Sequence, residues 1–205
     1  MKLSVVIPFY NEENMIQKMY DELVKEINQI TKAEFEIIFI NDGSKDRTFE
    51  RMLAIAAGDS RVKYISFSRN FGKEAGTIAG LEYATGEAVI LMDGDLQHPP
   101  AMLPQMIEAY EQGYDVVSAR RTRTGEKRHR TFLAKHFYKL ANKMMDIELM
   151  DGVSEFRLFS RKVVNAIISM QEYNRFSKGI FAWIGFNEKV IEYENQVRTV
   201  GETKY

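Results

Sequence analysis

The sequence predicts an α/β fold, a single domain built on a mostly parallel sheet flanked by helices. Short strand-like runs, largely apolar, at 3–7, 35–40, 62–67 and 89–92 alternate with stretches of helical length. That alternation calls for a parallel sheet with right-handed crossovers. Each run empties into a polar cluster, as expected where the carboxyl ends of parallel strands form a ligand-binding edge. With 205 residues, 45% hydrophobic and 28% charged, the chain can bury a substantial core.

The first strand, 3–7, ends at Pro8-Phe9-Tyr10-Asn11-Glu12. Asn11 or Asn14 is suited to cap the next helix, which carries Ile16, Met19, Tyr20, Leu23 and Ile27 on one face. The second strand, 35–40, ends in Asn41-Asp42-Gly43-Ser44-Lys45-Asp46 and leads to a helix over 48–57. The third, 62–67, ends in Ser68-Arg69-Asn70-Phe71-Gly72-Lys73, followed by an Ala- and Gly-rich helix over 74–83. The fourth, 89–92, has no polar break, which suits burial on both faces. It empties into Asp93-Gly94-Asp95, and Pro99-Pro100 then lets a helix begin over 101–112, closed by Gly113. A strand at 115–119 follows, and a helix over 132–146 carries Lys135, Lys139 and Lys143 along one face. Residues 151–160 read as mixed, 162–170 as a helix, and 181–186 and 190–193 as short strands.

The chain has no cysteine, so neither a disulfide framework nor a thiolate metal site is available. No apolar run approaches the roughly 20 residues of a spanning helix, and the N-terminus is too soon broken by Pro8 to read as a signal peptide. There is no Gly-x-Gly-x-x-Gly after the first strand and no Gly-x-x-x-x-Gly-Lys-Ser/Thr, which argues against dinucleotide-binding and P-loop domains. The net charge of −1 hides an asymmetry: residues 120–143 hold nine Lys or Arg against one acid, Glu126. Such a block points to a phosphate-bearing partner or an anionic surface, the plainer alternative being a solvated face. Asp93 and Asp95 at a buried strand's end need a divalent cation, or hydrogen bonds from the turn, to offset their repulsion.

In combination and order, the motifs resemble the family 2 glycosyltransferases of GT-A (Rossmann-like) fold, in the branch of dolichyl-phosphate mannosyltransferase and the bacterial polyprenyl-phosphate (bactoprenol) sugar transferases. The matching stretches are Ser4 to Glu12, Asn41 to Asp46, Arg69 to Lys73, Met92 to Pro100, Gly152 to Leu158 and Arg198 to Tyr205. The resemblance implies an inverting, metal-dependent transfer of a sugar from a UDP- or GDP-sugar to a polyprenyl phosphate. Asp42 would accept a hydrogen bond from the donor's base. Pro8, Tyr10, Asn11, Glu12, Ser44, Arg69, Lys73, Asp93 and Gly94 would complete the nucleotide-sugar site. Asp93 and Asp95 form the family's Asp-x-Asp, with Gln97 as a further oxygen ligand, and oxygen ligands suit Mg²⁺ or Mn²⁺.

On the acceptor side the resemblance implies phosphate-binding roles for Arg120, Arg121 and Arg198. Arg157 reads equally as a phosphate ligand or as the partner of a carboxylate. The family usually has Asp where this chain has Glu155. That carboxylate is assigned as the acceptor's base, but a phosphate acceptor is already ionised near neutral pH, so Glu155 either takes a proton or orients substrate. Asp95 and Glu155 are the candidate catalytic residues. His98, His129 and His136 lack metal-ligand spacing and read as structural. The basic segment 120–143 is expected to face a membrane surface, at the cytoplasmic face of the cell membrane. No nucleic-acid partner is expected, and nothing in the sequence excludes a homo-oligomer.

The whole chain reads as one catalytic domain, its donor half about 1–98 and its acceptor half about 99–205. Relatives commonly continue into hydrophobic helices after the Lys204-Tyr205 pair, so the chain reads either as a soluble member or, the favoured expectation, as a catalytic domain whose native chain continues into transmembrane helices. A saccharide acceptor and a catalytically weak nucleotide-sugar-binding module are the alternatives. A nucleotidyltransferase would show a Gly-rich, basic loop after the first strand, and Pro8 to Glu12 is not one.

Overall fold

The computed structural model describes residues 1–122, 153–170 and 177–193. In chain order the elements are β1 (Lys2–Phe9), α1 (Ile16–Ile27), β2 (Glu34–Asn41), α2 (Thr48–Gly58), β3 (Val62–Ser66), α3 (Lys73–Tyr83) and β4 (Ala88–Leu91). A 3-10 turn (Pro100–Met102) precedes α4 (Leu103–Glu111), β5 (Val116–Arg121) and β6 (Val153–Ser160). Then come α5 (Arg161–Ser169), α6 (Ser177–Trp183) and β7 (Glu188–Tyr193). The seven strands form one sheet in the order β3-β2-β1-β4-β6-β5-β7. Among the described strands only β6 is antiparallel to its neighbours, β4 and β5.

Side-chain alternation divides the core between the two faces of this sheet. Leu3, Val5, Ile7 and Phe9 of β1 pack with Ile37, Phe39 and Ile90 under α1, α2 and α4. Val6, Ile38, Ile40, Val89 and Leu91 face the other way, against Leu81 of α3, Val163, Val164 and Ile167 of α5, and Phe181 of α6. The helices after β1 and β2 lie on one face and the helix after β3 on the other. The strand order therefore reverses between β1 and β4, and a crevice forms where their carboxyl ends diverge.

Strand β1 runs through Pro8 to Phe9, two residues beyond the expected end. The reason lies in which neighbour Pro8 faces. Even-numbered residues of β1 bond toward β4, as the Met92 N–H does to the Val6 carbonyl, and the β1–β4 ladder ends at Val6–Leu91. The missing proline N–H thus falls where no ladder remains to use it.

Three expectations are corrected. The stretch 151–160, read as mixed, forms β6 from Val153 onward, with residues 151–152 outside the described residues. Its charged Glu155 and Arg157 mask a strand buried on both faces. The stretch 181–186, read as a strand, begins inside helix α6, where Phe181 packs on Phe159 with ring centroids 4.9 Å apart. Neither Asn11 nor Asn14 caps α1: the cap position is Met15, and no side chain bonds there. The expected helix over 132–146 lies outside the described residues. Among the described residues no helix is long and apolar enough to cross a membrane.

Candidate active site

The loops after β1 and β2 hold each other. Asn11 adopts a left-handed conformation, φ 52°. There its N–H donates to Ser44 Oγ at 3.0 Å and its Oδ1 accepts the Lys45 N–H at 2.7 Å. The Glu12 N–H donates to Thr48 Oγ1 at 2.8 Å, at the start of α2. Asn11 and Ser44, expected at the donor, therefore build the rim of the crevice through each other. Pro8 is buried at the end of β1, its ring against α3 at Gly76. Tyr10 and Glu12 are half-buried on the loop itself.

Asp42 is fully buried at the end of β2. Its two carboxylate oxygens accept the backbone N–H groups of Phe71 at 2.7 Å and Gly72 at 3.0 Å. That grip fixes the chain as it enters α3. Gly72 stands at φ 94°, a conformation that favours glycine, and caps the helix whose first residue is Lys73. Nearby, the Arg69 guanidinium lies over the exposed ring of Phe71, 4.1 Å from its centroid.

The turn after β4 is braced from within. The Asp93 N–H donates to His98 Nδ1 at 3.0 Å, and the buried His98 ring stacks on Phe156 at 5.3 Å. The structural role expected of His98 is what the geometry displays. Asp95 Oδ1 accepts the Gln97 N–H at 3.0 Å, across Leu96 in a left-handed conformation, φ 61°. Gly94 lies so close to Phe9 that a Cβ there would stand 2.2 Å from the ring. The carboxylates of Asp93 and Asp95 are thus carried on a turn whose backbone has little room to move.

Lys73 joins this turn to β6. Its Nζ lies 2.5 Å from Asp93 Oδ1 and 2.6 Å from Glu155 Oε2. Burial disfavours the ammonium's charge, but the two carboxylates outweigh burial and hold its pKa above the ordinary lysine value. Glu155 reaches this point because β6 is antiparallel, so its beginning lies at the edge where β4 ends. The β5–β6 register also shifts between Ser118 and Arg120, and Ser154 Oγ donates to the Ala119 carbonyl at 2.9 Å beside the irregularity.

The arginines divide. Arg157 is buried, pairs with Glu188 Oε1 at 3.3 Å and lies 5.0 Å from the Phe181 ring centroid. A carboxylate partner is thus present, and among the described residues its Nε has no hydrogen-bond partner. Arg120 donates to Glu192 Oε1, from Nε at 3.1 Å and also from its terminal nitrogen. Arg121 is half-buried at the same strand end. Arg198 and the rest of the basic segment, 123–143, lie outside the described residues. Sequence reading missed Tyr193, nearly buried at the end of β7. Burial raises its phenol pKa, Ser154 and Arg121 lower it, and the negative charges of Asp93 and Asp95 add to the rise. Its position depends on β7 pairing with β5, which no local motif announces.

Among the described residues no three His, Asp or Glu side chains are arranged as a metal cage. Two hard carboxylates on a rigid turn fit the manner in which Mg²⁺ is commonly held, by one or two carboxylates with substrate phosphates and water completing the shell. The donor set therefore suits such an ion together with a diphosphate.

Comparison with known proteins agrees with this architecture. Residues 4–168 match the family described as "Glycosyl transferase family 2". The chain is 50% identical over 203 residues to the "Putative glycosyltransferase CsbB" of Bacillus subtilis, covering 99% of this chain and 61% of that protein. It is 43% identical over 206 residues to the "Bactoprenol glucosyl transferase" of Shigella phage SfX, covering 100% of this chain and 67% of that protein. The chain thus spans about three fifths to two thirds of the length of these relatives. Among solved structures, glucosyl-3-phosphoglycerate synthase from Mycobacterium tuberculosis, in complex with Mn²⁺ and UDP-glucose, superposes with a TM-score of 0.67 at 19% identity, over 98% of this chain and 72% of that one. The sheet, flanked on both faces and reversing at β1 and β4, has the GT-A architecture, and the chain belongs to glycosyl transferase family 2.

Proposed function

We propose that this chain is the catalytic domain of an inverting glycosyltransferase, moving a sugar from a UDP- or GDP-sugar to a polyprenyl phosphate. The observation that carries the reading is the convergence of Asp93, Lys73 and Glu155 at the β1–β4 switch point, joined at 2.5 and 2.6 Å. The name of the phage relative supports the acceptor, and the Mn²⁺ and UDP-glucose of the mycobacterial structure support the donor and the ion.

Asp93 and Asp95 would hold Mg²⁺ or Mn²⁺, with Gln97 beside them. Such an ion, when bound, supplies positive charge to the departing diphosphate. The crevice walls formed by Tyr10, Glu12 and Arg69 receive the nucleoside, while Asp42 positions the Phe71–Gly72 peptides that shape its floor. Lys73 is placed to meet the diphosphate. Glu155 orients the acceptor phosphate, whose ionised oxygen needs no proton removed before it attacks the anomeric carbon. The new carbon–oxygen bond forms as the bond to the diphosphate breaks, and the nucleoside diphosphate leaves. Arg120 and Arg121 lie at the same edge, suited to an anionic acceptor. Arg157 serves by neutralising Glu188 beneath them. The basic segment faces the membrane that carries the lipid, at its cytoplasmic face.

The test is a donor panel. Purified protein with Mn²⁺, UDP- or GDP-sugars labelled in the sugar, and a short polyprenyl phosphate should move label into the organic phase with one donor. Label transferred only to soluble saccharides would overturn the lipid acceptor.

A further inference from the structure

The Lys73 ammonium sits where a dication would compete with it. It is the cation between Asp93 and Glu155, at hydrogen-bonding distance from both. An ion bound to Asp93 at the roughly 2.0–2.2 Å usual for Mg²⁺ and Mn²⁺ would share a carboxylate already committed to a positive charge. Resting on the reading of Asp93 as a metal ligand, we propose that Lys73 is an internal counter-cation that blocks the metal site until a diphosphate draws it away, so that ion and diphosphate enter together rather than the ion first.

Two features support this. The base of Lys73 cannot drift: it is the first residue of α3, and Asp42 holds the two preceding amides. Its four-carbon stem is flexible, so the ammonium alone can swing. Leaving Asp93 and Glu155 without a replacement would set two carboxylates facing each other with their shared cation gone. An arriving ion supplies that replacement for the carboxylates, and an arriving diphosphate supplies a new partner for the ammonium. Neither exchange is favourable without the other, and by linkage each ligand strengthens the other equally.

The experiment measures binding of Mn²⁺, by loss of the free-ion electron paramagnetic resonance signal, to wild type, Lys73→Met, Lys73→Gln and Lys73→Arg. Each is titrated with Mn²⁺ alone and in the presence of UDP or of GDP. Wild type should bind Mn²⁺ alone weakly and at least about 10-fold tighter with one nucleotide, within the usual span of coupling. Lys73→Met should bind Mn²⁺ alone about 10-fold tighter than wild type and gain less from the nucleotide. Lys73→Gln keeps a polar N–H donor on a stem one bond shorter and removes the charge, so it tests the same point should the methionine variant fold poorly. Lys73→Arg keeps the charge and should stay as weak as wild type. Equal or weaker binding of Mn²⁺ alone by the uncharged variants, with nucleotide-dependent binding intact, overturns the counter-cation and leaves the metal-dependent reading standing. No Mn²⁺ binding by any variant, with or without nucleotide, overturns both.

Discussion

His98 accepts the backbone N–H of Asp93 through Nδ1, at 3.0 Å, from a ring that is almost completely buried. The bond fixes the direction of the peptide that carries the first carboxylate of the turn. His98→Ala leaves that donor unpaired and removes a ring stacked on Phe156. The expected loss is about 1–3 kcal/mol for the unpaired group alone, read by urea denaturation. His98→Asn places an acceptor oxygen near the position of Nδ1 and should recover part of the loss. If asparagine is no better than alanine, stacking and not the hydrogen bond is what His98 contributes.

At the opposite edge of the sheet, Glu36 makes stability depend on pH. Only 3% exposed, it accepts from Ser4 Oγ at 2.6 Å, the Thr85 N–H at 2.7 Å and Lys63 Nζ at 2.6 Å. Burial alone would raise its pKa, but these donors outweigh burial and lower it from 4.5 to about 2. The folded value lies below the unfolded one, so the stabilisation is full above about pH 4.5 and is lost as pH falls toward 2. Asp59, held at about 2 by its bonds with Arg61, acts in the same window. The slope of unfolding free energy against pH should therefore shrink, not vanish, in Glu36→Gln. An unchanged slope would remove Glu36 from the acid-sensitive set.

Much of the fold is legible because buried parallel strands are written largely as apolar runs: 89–92 announces β4, and 37–40 announces β2 in spite of Glu36 before it. The polar clusters at strand ends were legible for the same reason, since an apolar run that stops abruptly marks an edge. What hid β6 was charge inside a strand. Arg157 is neutralised by Glu188 of β7, a partner that only the sheet order brings near. The use of Asp42 was hidden differently. Each of its oxygens accepts one backbone amide, of Phe71 or Gly72, and backbone groups leave no mark in the pattern of side chains. Lys73 could be placed at the site but not between two carboxylates, because Glu155 reaches it only through an antiparallel strand.

Gly94 tests how tightly the carboxylate turn is seated. A Cβ there would stand 2.2 Å from Cε1 of Phe9, whose ring is itself wedged edge-on against Phe39 at 5.3 Å. Gly94→Ala should cost about 1–3 kcal/mol by overpacking, measured by chemical denaturation. Phe9→Leu in the same chain opens room at the contact, so the double variant should lose less than the two single losses added together. Strict additivity would mean that the turn moves and the ring does not resist it.

Asp42→Asn tests whether the start of α3 governs the site. An aspartate offers two oxygens to the Phe71 and Gly72 amides, whereas asparagine offers one, its other terminal atom being a donor. One amide, partly buried, is left facing a donor beside a fully buried side chain, which costs about 1–3 kcal/mol. Hydrogen exchange should quicken at Phe71 or Gly72, with β1 and β2 core amides protected as before. Because Lys73 follows directly, its reach to Asp93 and Glu155 should loosen too, and sugar transfer should fall further than the loss of folded protein explains. If exchange quickens while transfer per folded molecule is unchanged, Asp42 holds the loop without setting the position of Lys73.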